Sequence, residues 1–141
     1  MPFARISLLA GKPPGYLAAL GDSLQGALVE SFEVPPADRF QAIHQHAPGE
    51  LVFDRGYLGG PRSDDFVIFH IITGRQRSLA VKQRFYRTLV RRLAESPGVR
   101  PEDVLVVVSN STFEDWSFGS GICAAIPDAE GAVIGPEGGS E

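Results

Sequence analysis

At 141 residues, 43% of them hydrophobic and 21% charged, the chain has room for one domain with a core of its own. A single cysteine, Cys123, excludes an internal disulfide framework and fits a reducing compartment. No apolar run approaches the ~18 residues of a membrane span and no secretory signal opens the chain, so a cytoplasmic protein without membrane partners is expected.

The net charge of −4 is carried by the tail, where residues 120–141 hold four acids and no Lys or Arg. Up to Gly119 the count is 13 basic against 13 acidic residues, which offers no basis for electrostatic capture of nucleic acid.

In chain order, residues 3–9 (Phe-Ala-Arg-Ile-Ser-Leu-Leu) read as a strand, with Pro2 at its head. Lys12-Pro13-Pro14 turns the chain into a helix whose apolar positions, Leu17, Leu20, Leu24, Ala27 and Leu28, recur at spacings of three and four. Gly15, Gly21 and Gly26 weaken its intrinsic propensity, so packing has to hold it. Pro35-Pro36 ends that helix, and residues 40–46 predict a second strand with Phe40, Ala42 and His44 on one face. Residues 51–53 predict a further short strand before a Gly-rich loop.

The second half repeats the plan. Residues 66–73 are almost continuously apolar, as in a strand covered on both faces. A linker, Gly74-Arg75-Gln76-Arg77, leads to a helix over 79–95 with Ser78 as its N-cap, and residues 104–108 form the last core strand. Two β-α-β units thus follow one another, and four strands with two helices on one side leave the other sheet face to be buried by further copies of the chain. The fold expected is an α/β, two-layer α+β domain over residues 2–119, followed by a Gly-rich acidic tail over 120–141. From about Asp128 onward that tail is expected to be disordered.

Several side chains carry possible chemistry. An amino-terminal amine titrates near neutrality, at roughly 7.7–8.0, and loss of Met1 would make Pro2 a secondary amine held on a core strand. Pro2 at a strand start is also simply tolerated, its missing N–H costing nothing there. Arg75 and Arg77 lie between a strand end and a helix start, where an anion is favoured. Both also fit a solvated linker. Asp38 is an acid in a connecting loop, and Trp116 and Phe118 suit either a pocket wall or a core. His44, His46, His70 and Cys123 do not have the spacing of a structural zinc set.

Taken together, the residues resemble the tautomerase superfamily, and within it the malonate semialdehyde decarboxylase group. The matching pieces are Pro2, Val34-Pro-Pro-Ala-Asp-Arg-Phe-Gln41, Gln45-His-Ala-Pro48, Arg75-Gln-Arg77-Ser78, Pro101-Glu-Asp-Val104 and Asp115-Trp-Ser-Phe-Gly119. That resemblance implies Pro2 as the catalytic residue, Asp38 as its polar partner, Arg75 and Arg77 as holders of a substrate carboxylate, and Trp116 and Phe118 as pocket lining. It further implies a homotrimer with neither metal nor organic cofactor, and a carbon–carbon lyase acting on a small 3-oxo acid such as malonate semialdehyde. Hydration of an activated unsaturated acid and keto–enol tautomerisation use the same residues, and a non-catalytic trimeric ligand-binding protein is the rival from another class. Asp38 beside the amine is expected to favour its cation, which points to decarboxylation or hydration over tautomerisation.

Overall fold

The computed structural model describes residues 1–124. Strand β1 (Pro2–Leu9) leads to helix α1 (Pro14–Phe32) and strand β2 (Gln41–His46). Strand β3 (Val67–Thr73), helix α2 (Leu79–Glu95) and strand β4 (Val104–Asn110) follow, with single 3-10 turns at Pro101–Asp103 and Phe113–Asp115. The four strands form one sheet in the order β2-β1-β3-β4. β1 and β2 are parallel, as are β3 and β4, and the two halves meet where β1 and β3 run antiparallel. This is the tandem β-α-β plan expected from the sequence.

Alternation along the strands sets the core. Ala4, Ile6 and Leu8 from β1 and Val67, Phe69 and Ile71 from β3 are buried on one face. They pack under Leu20, Leu24 and Leu28 of α1 and Phe85, Leu89 and Leu93 of α2. The opposite face presents Phe3, Ile68 and Ile72, all half-buried, together with Val107 at 45% exposure. A polar row crosses it, in which Arg5 Nη1 lies 3.4 Å from His44 Nε2 and His70 Nε2 lies 2.9 Å from Ser109 Oγ.

Both helices have readable ends. α1 begins on Pro13-Pro14 and stops at Glu33, which takes a left-handed conformation (φ 56°). In α2 the Ser78 hydroxyl accepts the Val81 N–H at 3.2 Å, the N-cap expected. The glycines inside α1 are sites of close approach rather than simple weak points. A Cβ on Gly26 would lie 2.6 Å from Arg92 Nη1, so a larger residue there would displace the guanidinium that crosses from α2 to bind Glu30 at 3.0 Å.

One expectation needs correction. Residues 51–53 form no strand; instead Phe53 stacks on Phe66 with ring centroids 4.3 Å apart, and that contact anchors the long loop. Residues 120–124, the start of the Gly-rich acidic segment, pack back on the chain before them. The chain turns back there, with a bridge between Ser117 and Cys123 and a 2.9 Å hydrogen bond from Ala124 N to Trp116 O. The disorder expected from about Asp128 lies outside the described residues.

The loop before β3 is fastened by Asp103, which is 0% exposed. Its carboxylate accepts from Ser63 N at 2.7 Å, Ser63 Oγ at 2.6 Å and Arg100 Nε at 3.2 Å. Burial pushes this carboxyl upward, but the hydrogen bonds from Ser63 and Arg100 outweigh it and hold it below its ordinary value. A carboxyl lowered on folding stabilises the fold above its unfolded pKa, and that contribution is lost as pH falls through the folded one. Asp103→Asn is therefore expected to cost about 2 kcal/mol in urea melts at neutral pH, with the difference from wild type shrinking once pH falls below about 3.9.

Candidate active site

The register of β1 against β3 decides what meets at this end of the sheet. Pro2 pairs with Thr73, so the amino terminus lies where β3 ends and the arginine linker begins. Because β2 runs parallel to β1, the turn leading into β2 arrives at the same end and brings Asp38 with it. That turn is closed by a 2.9 Å hydrogen bond from Asp38 N to Pro35 O. It is tied to α1 by Gln25, a buried residue whose amide donates to Asp38 O at 3.1 Å and Pro36 O at 3.3 Å. A polar side chain on the inward stripe of α1 was the sequence signal for Gln25; the Leu periodicity hid it.

With Met1 in place, the amine is that of Met1. It lies 3.5 Å from Asp38 Oδ2, with the two side chains 8% and 16% exposed. The Met1 carbonyl accepts the Gly74 N–H at 2.9 Å, continuing the β1–β3 pairing by one residue. Gly74 is packed tightly on its other side, since a Cβ there would lie 3.1 Å from Phe113 Cε1 and 3.2 Å from Met1 Cβ.

Burial is the largest influence on this amine and lowers its pKa; Asp38 acts upward, while Arg77 and Arg75 reinforce burial. The net direction is down from the ordinary 8.0. The expectation that Asp38 favours a cation concerns the Pro2 nitrogen, which is an amide while Met1 is attached; on the Met1 amine Asp38 acts in that same upward direction.

The two arginines are not equivalent. Arg75 is exposed and lines an open cleft of about 560 Å³, bounded on its far side by Asn110, Phe113 and Asp115. Arg77 lies over the Phe32 ring, 4.5 Å from its centroid. Its guanidinium donates to Arg75 O at 2.9 Å and Phe32 O at 3.2 Å, and its Nε is buried without a partner. Burial first, then the nearby Arg75, pushes the Arg77 guanidinium down from its ordinary value. Arg75 is thus the exposed member of the pair and Arg77 the one held by its neighbours.

Trp116 and Phe118 come together as a stacked pair with centroids 5.6 Å apart. Phe118 also packs on Phe40, at 5.7 Å, just ahead of β2. The aromatic row therefore runs from Phe40, ahead of β2, to Ser111, which follows β4 and also lines the Arg75 cleft. Trp116 Nε1 donates to Ser111 Oγ at 2.7 Å. Phe40, Phe113 and Ser111 were not singled out in the sequence, where an isolated aromatic or hydroxyl next to a strand has no distinctive spacing.

Comparison with known proteins identifies the family. A family model described as tautomerase enzyme matches residues 38–119, and a second of the same description matches residues 2–55. The probable tautomerase YusQ of Bacillus subtilis (strain 168) is 34% identical over 121 residues, spanning 86% of this chain and 95% of that protein. Among solved structures, a malonate semialdehyde decarboxylase studied for its decarboxylase and hydratase activities is 37% identical with a TM-score of 0.80, over 84% of this chain and 92% of that one. FG41 malonate semialdehyde decarboxylase, inhibited by 3-bromopropiolate, is 34% identical with a TM-score of 0.78, over 84% and 90% of the respective chains. The chain belongs to the tautomerase family.

Proposed function

We propose that the protein is a cofactor-independent decarboxylase of a small 3-oxo acid such as malonate semialdehyde, with the Pro2 nitrogen, freed by loss of Met1, as its catalytic amine. One observation carries this reading: the head of β1 brings an amine to within 3.5 Å of Asp38 and within the field of both Arg77 and Arg75. A carboxylate recognised by Arg75, beside a proton donor held by Asp38, is the arrangement that a 3-oxo acid requires. The likeness to two malonate semialdehyde decarboxylases supports the same substrate class.

In the chemical step the bond between the carboxylate carbon and the methylene carbon breaks. Its electron pair passes into the adjacent carbonyl, carbon dioxide leaves, and an enolate remains. Protonated Pro2 stabilises the enolate oxygen and supplies the proton balance for the aldehyde product. In the alternative route neutral Pro2 attacks the aldehyde, and an iminium accepts the electron pair before hydrolysis. Arg75 positions the carboxylate without needing to hold it tightly, since equal binding of substrate and transition state does not raise turnover. Arg77, clamped to Arg75 O and Phe32 O, fixes the shape of the linker and adds its charge.

Keto–enol tautomerisation is the second reading, and a specific observation favours it. Burial and the two arginines push the Met1 amine below its ordinary 8.0, and the same surroundings acting on a freed Pro2 would favour the neutral form that shuttles a proton as a base. The description of YusQ as a probable tautomerase points the same way. In the hydratase reading Asp38 serves as general base toward water. Product analysis by NMR on 3-oxo acids, unsaturated acids and enol acids separates the three chemistries.

The half-covered sheet supports assembly as a homotrimer, because the face that carries Phe3, Ile68, Ile72 and Val107 beside its polar row has no helix over it among the described residues. Light scattering is expected to give a mass near three chains, and a stable monomer would refute that arrangement.

Intact-mass measurement is expected to show loss of one methionine in active protein. Pro2→Ala and Arg75→Ala are each expected to lower kcat/KM on malonate semialdehyde by roughly 100-fold, within the usual range for removing acid–base or orienting groups. Undiminished turnover in either variant removes that residue from the site.

The pH profile reports the charge of the amine. If the cation is the working form, activity falls as pH rises through the pKa of the Pro2 amine. Asp38 raises that pKa, so Asp38→Asn is expected to move the fall to lower pH. A shift to higher pH would contradict the role of Asp38 as the cation's partner.

A further inference from the structure

We propose that Ser111 is a positioning residue whose hydroxyl fixes the indole of Trp116 to the end of β3, and so sets the aromatic wall beside the Pro2 site. The proposal rests on the reading of Trp116 as part of that site.

The geometry is a two-bond relay. Trp116 Nε1 donates to Ser111 Oγ at 2.7 Å, and the same hydroxyl donates to Thr73 O at 2.7 Å. Ser111 N also donates to Thr73 O, at 2.8 Å, so this one carbonyl accepts twice from one serine. Thr73 is 1% exposed and is the residue paired with Pro2 across the sheet. It also immediately precedes the Gly74–Arg77 linker. The indole is therefore referenced to the backbone point that places both the amine and the arginines.

A hydroxyl is required for this. It has one proton, spent on Thr73 O, and lone pairs that accept the indole N–H. Alanine would leave the N–H unpaired in a half-buried place and free the ring to rotate about its side-chain bonds. Stacking alone does not fix the ring, because Phe118 and its neighbour Phe40 form a sliding row of apolar faces with no directional bond to Trp116. The hydrogen bond supplies the direction that the stack lacks.

Trp116 is the sole tryptophan of the chain, so its fluorescence reads this tether directly. In the full-length protein, Ser111→Ala is expected to red-shift the emission and increase quenching by acrylamide. With malonate semialdehyde, or an enol acid if that proves the better substrate, kcat is expected to fall about five-fold, the worth of one neutral hydrogen bond, with KM within about two-fold of wild type. Ser111→Thr, which keeps the hydroxyl, is expected to restore both signals.

An unshifted Ser111→Ala spectrum, or a shifted spectrum with wild-type kcat, overturns the proposal. Should circular dichroism show that Ser111→Ala does not fold, Trp116→Phe removes the N–H donor while keeping an aromatic ring; the same fall in kcat supports the proposal and a wild-type kcat overturns it. If the wild-type protein turns over none of the substrates, the functional reading fails separately. The tether is then judged by the Trp116 spectra of the Ser111→Ala and Ser111→Thr pair alone, with the same expected and overturning results.

Discussion

The antiparallel seam between β1 and β3 is the constraint on which the rest of the molecule depends. It joins two β-α-β units that would otherwise be separate half-sheets, and its register pairs the second residue of the chain with the last residue of β3. A chain terminus is ordinarily the least ordered part of a domain. Here it is a central strand, ladder-bonded on both sides to β2 and β3. An amine on such a strand has its position set by backbone hydrogen bonds rather than by a flexible stem.

Much of this fold is legible from residue pattern. The alternation in β1 and the apolar run of β3 mark two central strands, and the three-and-four spacing of leucines marks α1. Proline pairs and Ser78 mark helix boundaries because they act locally, through ring geometry and a single capping bond. The 51–53 segment reads as a strand for the same local reason, a run of Leu, Val and Phe, but tertiary contact decides it: Phe53 finds Phe66 and no ladder partner. Gly21 and Gly26 mislead in the opposite sense. Each looks like a propensity defect, and each makes room for a polar side chain arriving from elsewhere in the fold, Gln41 and Arg92 respectively.

The candidate site shows the same division. Pro2, Asp38, Arg75, Arg77 and the Trp116–Phe118 pair stand out by type and by resemblance. Their unequal situations do not, because those depend on distances between elements far apart in sequence. Arg77 is immobilised by the carbonyl of Phe32, at the end of the other helix. The charge of the amine depends on a balance between burial, one carboxylate and two guanidiniums, in which no single residue type predicts the sign.

The bond between Gly74 N–H and the Met1 carbonyl has one further consequence. With Met1 in place, its carbonyl accepts the Gly74 N–H and the proline nitrogen is an amide. Hydrolysis of the Met1–Pro2 bond would free both at once, the amine at the head of β1 and the N–H just past the end of β3. Maturation of this protein would then be a switch thrown once, by an aminopeptidase, with the linker that carries Arg75 already waiting in place.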